Sequence, residues 1–246
     1  MAPDVETLYR TDVGAGSGAA LLLVHGWGGD SRSWDPVRFG ERRVVTVDLR
    51  GHGRSPVPRE GYRPADYAAD LVPLVTGIAP VVAVGHSMGG QVVVRLALDH
   101  PELVRAVVVV DPAYGADEAE AATFEPRLAA LRRDGAPAAV RQLGRLADDV
   151  REQLLRTPGH VLADSYAGMY TDPGAFGARS AAAKVLAGLT RPVLCLRPTP
   201  SMAEWDLTCA LPPGSRVVVW GGASHFLHHD RPESFARLVE SWLSSI

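Results

Sequence analysis

The stretch Val81-Val82-Ala83-Val84-Gly85-His86-Ser87-Met88-Gly89-Gly90 joins a short apolar run to a serine flanked by glycines, and then to a segment of helical pattern over residues 90–99. A valine-rich apolar run of four, a tight turn and a helix make a strand–turn–helix unit. Where the strand end and the helix start approach each other, the flanking positions must lack bulky side chains, and glycine meets that demand. The serine then projects from the apex of the turn. The helix N-terminus lies beneath it, with its partial positive charge toward any developing anion. Gly-x-Ser-x-Gly in this context points to Ser87 as a nucleophile.

Working outward, five more apolar runs recur: 20–24, 43–47, 106–110, 193–196 and 216–220. Each is apolar nearly throughout rather than alternating, which suits parallel strands covered by helices on both faces. Helical spacing appears at 64–77 (Tyr67, Leu71, Leu74, Val75, with Pro73 able to kink or shorten it) and at 231–244 (Phe235, Leu238, Val239, Trp242). The expected fold class is α/β, a mostly parallel doubly wound sheet. Residues 111–192 exceed what one crossover needs. They read as helices at 124–133, 136–147, 148–156, 160–170 and 176–188, punctuated by Gly135, Pro137, Pro158, Pro173 and Gly174. We expect a core of residues 1–112 and 189–246 with an inserted helical cap at 113–188, over the carboxyl edge of the sheet where such folds bind ligands.

Three further strand ends carry motifs. His25-Gly26-Trp27-Gly28-Gly29 follows the first run. Its glycines let the backbone fold over the sheet edge, so the backbone N–H of Trp27 and that of Met88 are the expected oxyanion donors. The Trp27 side chain would wall the substrate pocket. Asp48-Leu49-Arg50-Gly51-His52-Gly53-Arg54-Ser55 reads as a structural loop pinned by charged hydrogen bonds, with His52 structural. Gly221-Gly222-Ala223-Ser224-His225-Phe226 follows the last run and puts His225 within reach of a serine at the same edge, as general base. His228 and His229 precede a helix and read as cap or rim residues. They lack the separated ligand pairs of a zinc site, so no metal is expected.

Taken together, His25-Gly26, Asp48 through Ser55, Gly85 through Gly90, and Ser224-His225-Phe226 with Pro232, Glu233 and Phe235 resemble the α/β-hydrolase fold family over essentially the whole chain. The likeness is to its small capped esterase, lactonase, C–C hydrolase and perhydrolase members. The resemblance implies a Ser–His–acid triad. Most members place the acid just after the strand matching 193–196, but this chain reads Arg197-Pro198-Thr199-Pro200-Ser201-Met202 there. Asp111, at the end of the neighbouring strand, is the preferred candidate. Asp206 and then Glu204 are the alternatives, and an incomplete triad is a further one. The implied activity is hydrolysis of an ester, lactone or related carbonyl bond of a mostly apolar small molecule through an acyl-enzyme on Ser87. The rivals are non-hydrolytic chemistry in the same site (C–C cleavage, a lyase or cyclase step, perhydrolysis) and ligand binding with little turnover. Tyr166, Met169 and Tyr170, with Phe176, would line the substrate site or pack between cap helices.

Composition narrows the partners. The chain has 246 residues, 46% hydrophobic and 22% charged, with a net charge of −3 and scattered arginines. No basic patch suggests nucleic acid or an anionic membrane. The start of the chain, Met1 to Glu6, lacks the pattern of a signal peptide. Cys195 sits in an apolar run and reads as an inert core thiol, and with Cys209 makes no disulfide framework. No phosphate loop or dinucleotide fingerprint implies a cofactor. We expect a cytoplasmic enzyme acting on a small molecule, as a monomer or homodimer.

Overall fold

The computed structural model describes residues 7–246. The reading of Met1 to Glu6 therefore lies outside the described residues. Seven strands are named in chain order: β1 (Arg10–Val13), β2 (Leu21–Val24), β3 (Val44–Val47), β4 (Val81–His86), β5 (Val104–Val110), β6 (Val193–Arg197) and β7 (Arg216–Val219). They form one sheet in the order β1-β3-β2-β4-β5-β6-β7. All neighbours are parallel except β1, which runs antiparallel to β3. The fold is that of an α/β hydrolase, with helices on both faces of a mostly parallel sheet. β1 was not among the expected runs. It is a largely exposed edge strand, Arg-Thr-Asp-Val, held by backbone pairing, so it has no apolar pattern to betray it.

The continuous apolar runs have a direct cause. Side chains alternate between two faces, and both faces are covered. Leu22 and Val24 of β2, Val81 and Ala83 of β4, and Val107 and Val109 of β5 point into one core. Leu21 and Leu23, Val82 and Val84, and Val108 and Val110 point into the other. The first core packs against α1 (Pro64–Val75), through Tyr67, Leu71 and Val75, and against α2 (Met88–Asp99), through Val92, Val93 and Leu96. The second packs against α11 (Pro232–Leu243), through Phe235, Val239 and Trp242. Pro73 stands inside α1, in its last turn, and the helix stops at Val75, short of residue 77. Helix α2 starts at Met88 rather than at residue 90, so the serine is the residue immediately before the helix.

Between β5 and β6 run α3 (Glu118–Ala121), α4 (Phe124–Asp134), α5 (Ala136–Leu143), α6 (Asp148–Arg156), α7 (Gly159–Tyr170) and α8 (Arg179–Leu186). A third apolar cluster draws Leu128, Leu131, Ala138, Leu154, Leu162 and Tyr166 from α4 to α7. Helix α8 differs: its Ala182 and Leu186 join the core under the sheet. Two short helices, α9 (Pro200–Asp206) and α10 (Leu227–Asp230), follow β6 and β7. Among the described residues no helix is long and apolar enough to cross a membrane. Both cysteines are free, and burial pushes the Cys195 thiol well up.

Candidate active site

The turn at Ser87 is as tight as its glycines suggest. Ser87 has φ 51° and ψ −115°, a left-handed conformation for a residue with a Cβ. A Cβ at Gly85 would lie 2.1 Å from the Gly89 carbonyl oxygen, and one at Gly89 would lie 2.4 Å from that of Val24. The Ser87 amide donates to the Val110 carbonyl at 2.9 Å, and the Ser87 carbonyl accepts from Gly90 and Ala113 at 2.9 and 3.0 Å. The strained apex is thus tied to β5 on one side and to its own helix on the other.

His225 lies in the loop after β7. Its Nδ1–H donates to Asp111 Oδ2 at 2.6 Å, which leaves Nε2 available. Asp111 directly follows β5 and has φ 39°, a second non-glycine residue at positive φ, which aspartate tolerates better than most. Glu204 is exposed. Asp206 is buried but faces Arg197, not His225: Arg197 Nε and Nη2 donate to its two oxygens at 2.6 and 3.1 Å. Arg197 is 1% exposed and also reaches Asp111 Oδ1 at 3.3 Å and the carbonyls of Pro112 and Tyr114 at 3.0 and 3.1 Å. A fully buried guanidinium thus has an acceptor for each of its five N–H groups. It stands at the end of β6, beside the end of β5 that leads to Asp111.

The loop carrying His225 is held from below. His86 Nε2–H donates to the His225 carbonyl at 3.0 Å, and burial holds the His86 imidazole well below its ordinary pKa, helped by neighbouring His225 and His228. This hydrogen bond from His86, the residue before Ser87, escaped the sequence reading. Its one signal was a polar residue inside an otherwise apolar strand end. The reading of His228 as a rim residue is corrected: it is fully buried between Trp34 and His86, with ring centroids 4.3 and 4.7 Å away. It is buried with Leu227, the other buried residue of α10. His229 instead donates from Nε2 to the Ser33 carbonyl at 2.5 Å. Among the described residues no group of three or more His, Cys, Asp or Glu is placed to hold a metal ion.

Neither the Trp27 nor the Met88 amide has a backbone acceptor among the described residues; Met88 follows Ser87 in the chain, and Trp27 lines the same cavity as Ser87. The loop bearing Trp27 is pinned by His25, whose Nδ1–H donates to the Gly26 carbonyl at 2.8 Å while Nε2 accepts from the Leu49 amide at 3.0 Å. A Cβ on Gly26 would meet His86 Nδ1 at 2.8 Å, so glycine is required at this approach. Asp48 organises the next loop. Burial alone would raise its carboxyl, but donors from Arg54 and Ser31 outweigh that and hold it at about 2. His52 is buried, and desolvation lowers it to about 3, in keeping with a structural part.

A cavity with about 810 Å³ of empty space, partly open to solvent, covers Ser87 and His225. Trp27, Tyr166, Met169 and Tyr170 all line it. Trp27 Nε1–H donates to Ser165 Oγ and the Leu162 carbonyl at 3.0 and 3.1 Å, so the loop after β2 is bonded to α7. Phe176 is not in the wall. It packs into the main core beside Tyr114, with ring centroids 6.3 Å apart.

Residues 21–238 match the model of the alpha/beta hydrolase family. The chain is 31% identical to a 2-(acetamidomethylene)succinate hydrolase of Mesorhizobium japonicum, over 94% of this chain and 90% of that protein. It is 27% identical to a putative 2-succinyl-6-hydroxy-2,4-cyclohexadiene-1-carboxylate synthase of Bacillus subtilis, over 96% and 94%. Among solved structures, a thermophilic esterase from Thermogutta terrifontis superposes with a TM-score of 0.76 at 25% identity, over 97% of this chain and 93% of that one.

Proposed function

Because this chain belongs to the alpha/beta hydrolase family and is an enzyme of the hydrolase class, we propose that it cleaves an ester, lactone or related carbonyl bond of a mostly apolar small molecule through an acyl-enzyme on Ser87. The observation that carries this reading is the 2.6 Å bond from His225 to Asp111 at the cavity that Ser87 lines. In the proposed cycle Ser87 Oγ attacks the carbonyl carbon and His225 Nε2 takes its proton. The oxyanion is held by the Trp27 and Met88 amides, each worth about 3 kcal/mol in the transition state. The imidazolium, kept in place by Asp111, passes the proton to the leaving group. His225 then takes a proton from water, the water oxygen attacks the acyl carbon, and Ser87 is released with its proton restored.

A fluorophosphonate probe tests this. It should label wild-type protein and not Ser87→Ala. No labelling of the wild type, or equal labelling of both, sinks the serine mechanism and leaves a ligand-binding role. A second reading, non-hydrolytic chemistry in the same pocket, draws support from the likeness to the Bacillus subtilis synthase over nearly the whole chain. Turnover of β-diketones in preference to p-nitrophenyl esters would favour it. In either case the proposed setting is the cytoplasm, with the protein a monomer or homodimer.

A further inference from the structure

Arg127 lies on the buried face of α4, one helical turn from Phe124 and Leu131 and beside Leu128, all three of which are buried. A cation in that position is unexpected. It is half-buried, makes no ion pair among the described residues, and has the Tyr166 hydroxyl beside its guanidinium. Arg197, by contrast, has five acceptors. Arg127 lines the apolar cavity over Ser87 and also a second, more polar lobe, which shares Ser87, His225, Leu143 and Tyr170 with the first. Its backbone is held by α5, since Gln142 Nε2–H donates to the Arg127 carbonyl at 2.9 Å.

Next to it stands a second unsatisfied group. Tyr166 is 4% exposed, lines the same cavity, and its buried hydroxyl has Arg127 beside it but no acceptor for its own proton. Burial pushes that phenol up to about 12, against the pull of Arg127, so it is a hydroxyl donor at neutral pH. A buried donor and a half-buried cation left unmatched are each costly. A ligand that supplied acceptors to both would recover that cost.

We propose that Arg127 and Tyr166 form a carboxylate-binding subsite, and that the substrate is a short acyl compound whose far end is a carboxylate. This rests on the serine-hydrolase reading and gives its substrate class. The guanidinium fork matches a planar carboxylate through two parallel hydrogen bonds, and the phenol adds a third. A more highly charged phosphate fits less well, because Glu120 and Asp117 line the same polar lobe and repel a dianion. The remaining wall of Trp27, Leu154, Met169 and Tyr170 takes the carbon chain between the carboxylate and the scissile carbonyl.

The test compares a p-nitrophenyl ester of glutaric acid, with one free carboxylate, to p-nitrophenyl butyrate. Wild type should prefer the acidic ester in kcat/KM, and Arg127→Leu should lower the ratio of acidic to neutral ester at least tenfold. Arg127→Lys should keep part of it, since a point charge remains but the fork is lost. Glutarate itself should slow fluorophosphonate labelling of wild type and not of Arg127→Leu. Labelling that glutarate does not slow, or a ratio that Arg127→Leu leaves in place, overturns the subsite while leaving the nucleophile standing. Absence of labelling altogether overturns both.

Discussion

Replacing Arg197 with methionine removes the cation that lies between two buried carboxylates. The side chains concerned are 1% exposed for Arg197, 7% for Asp111 and 2% for Asp206. Methionine keeps much of the apolar stem but none of the five donors. Asp111 retains His225, so its share of the damage is the smaller. Asp206 loses both bonds to the guanidinium, and the Pro112 and Tyr114 carbonyls lose theirs. Breaking a buried ion pair by removing one partner costs about 3–5 kcal/mol, a large part of the ~5–15 kcal/mol that holds a typical domain. Urea unfolding at neutral pH should therefore show a loss of about 3–5 kcal/mol with an unchanged slope. The double variant Arg197→Met with Asp206→Leu removes the stranded charge together with its partner, and should recover at least ~1–2 kcal/mol of that loss. A single variant within ~1 kcal/mol of wild type, or a double variant less stable than the single, would refute the account of a buried cation that holds two carboxylates.

Asp111→Asn should lower kcat on an activated ester by about 10³–10⁴-fold with little change in KM, because the amide no longer holds the imidazole tautomer and its cation. A wild-type rate would assign the acid elsewhere. Asp48 offers a pH test. Its carboxyl is lowered on folding, so it stabilises the fold above the unfolded value of about 4 and that stabilisation is lost as pH falls toward the folded value of about 2. Wild type should lose about 2 kcal/mol over that window, Asp48→Asn should lack this component, and parallel pH curves would contradict it. Gly89→Ala forces a Cβ to within 2.4 and 2.6 Å of the Val24 and His25 carbonyl oxygens, which are backbone and cannot swing away. Thermal unfolding should drop by at least ~6 °C, and a Tm within about a degree of wild type would show that the strand ends yield.

Much of the fold was legible because its causes are local. Runs such as Val81–Val84 and Val107–Val110 are apolar throughout since both faces of those strands are covered, and that leaves a mark on every residue. The turn at Ser87 was legible for a similar reason, since backbone approaches of 2.1–2.4 Å admit glycine alone at Gly85 and Gly89. β1 was not, because an exposed edge held by main-chain bonds asks little of its side chains. The roles of His86 and His228 were hidden too, since a histidine looks the same in a sequence whether it lies at a rim or under a loop.

The sequence by itself determined that a serine stands between a strand and a helix, that a histidine follows the last strand, and that three carboxylates compete to join them. Which one does so was decided by the pairing of β5 with β6. Val110 lies opposite Leu196, so Asp111 and Arg197 emerge side by side at the same edge. The guanidinium takes both oxygens of Asp206 and one of Asp111, and leaves Asp111 Oδ2 for His225. That outcome depends on groups 86 and 114 residues apart in the chain being fixed within hydrogen-bond range. No local pattern encodes it, because hydrogen bonding is satisfied by position in space and not by separation in sequence.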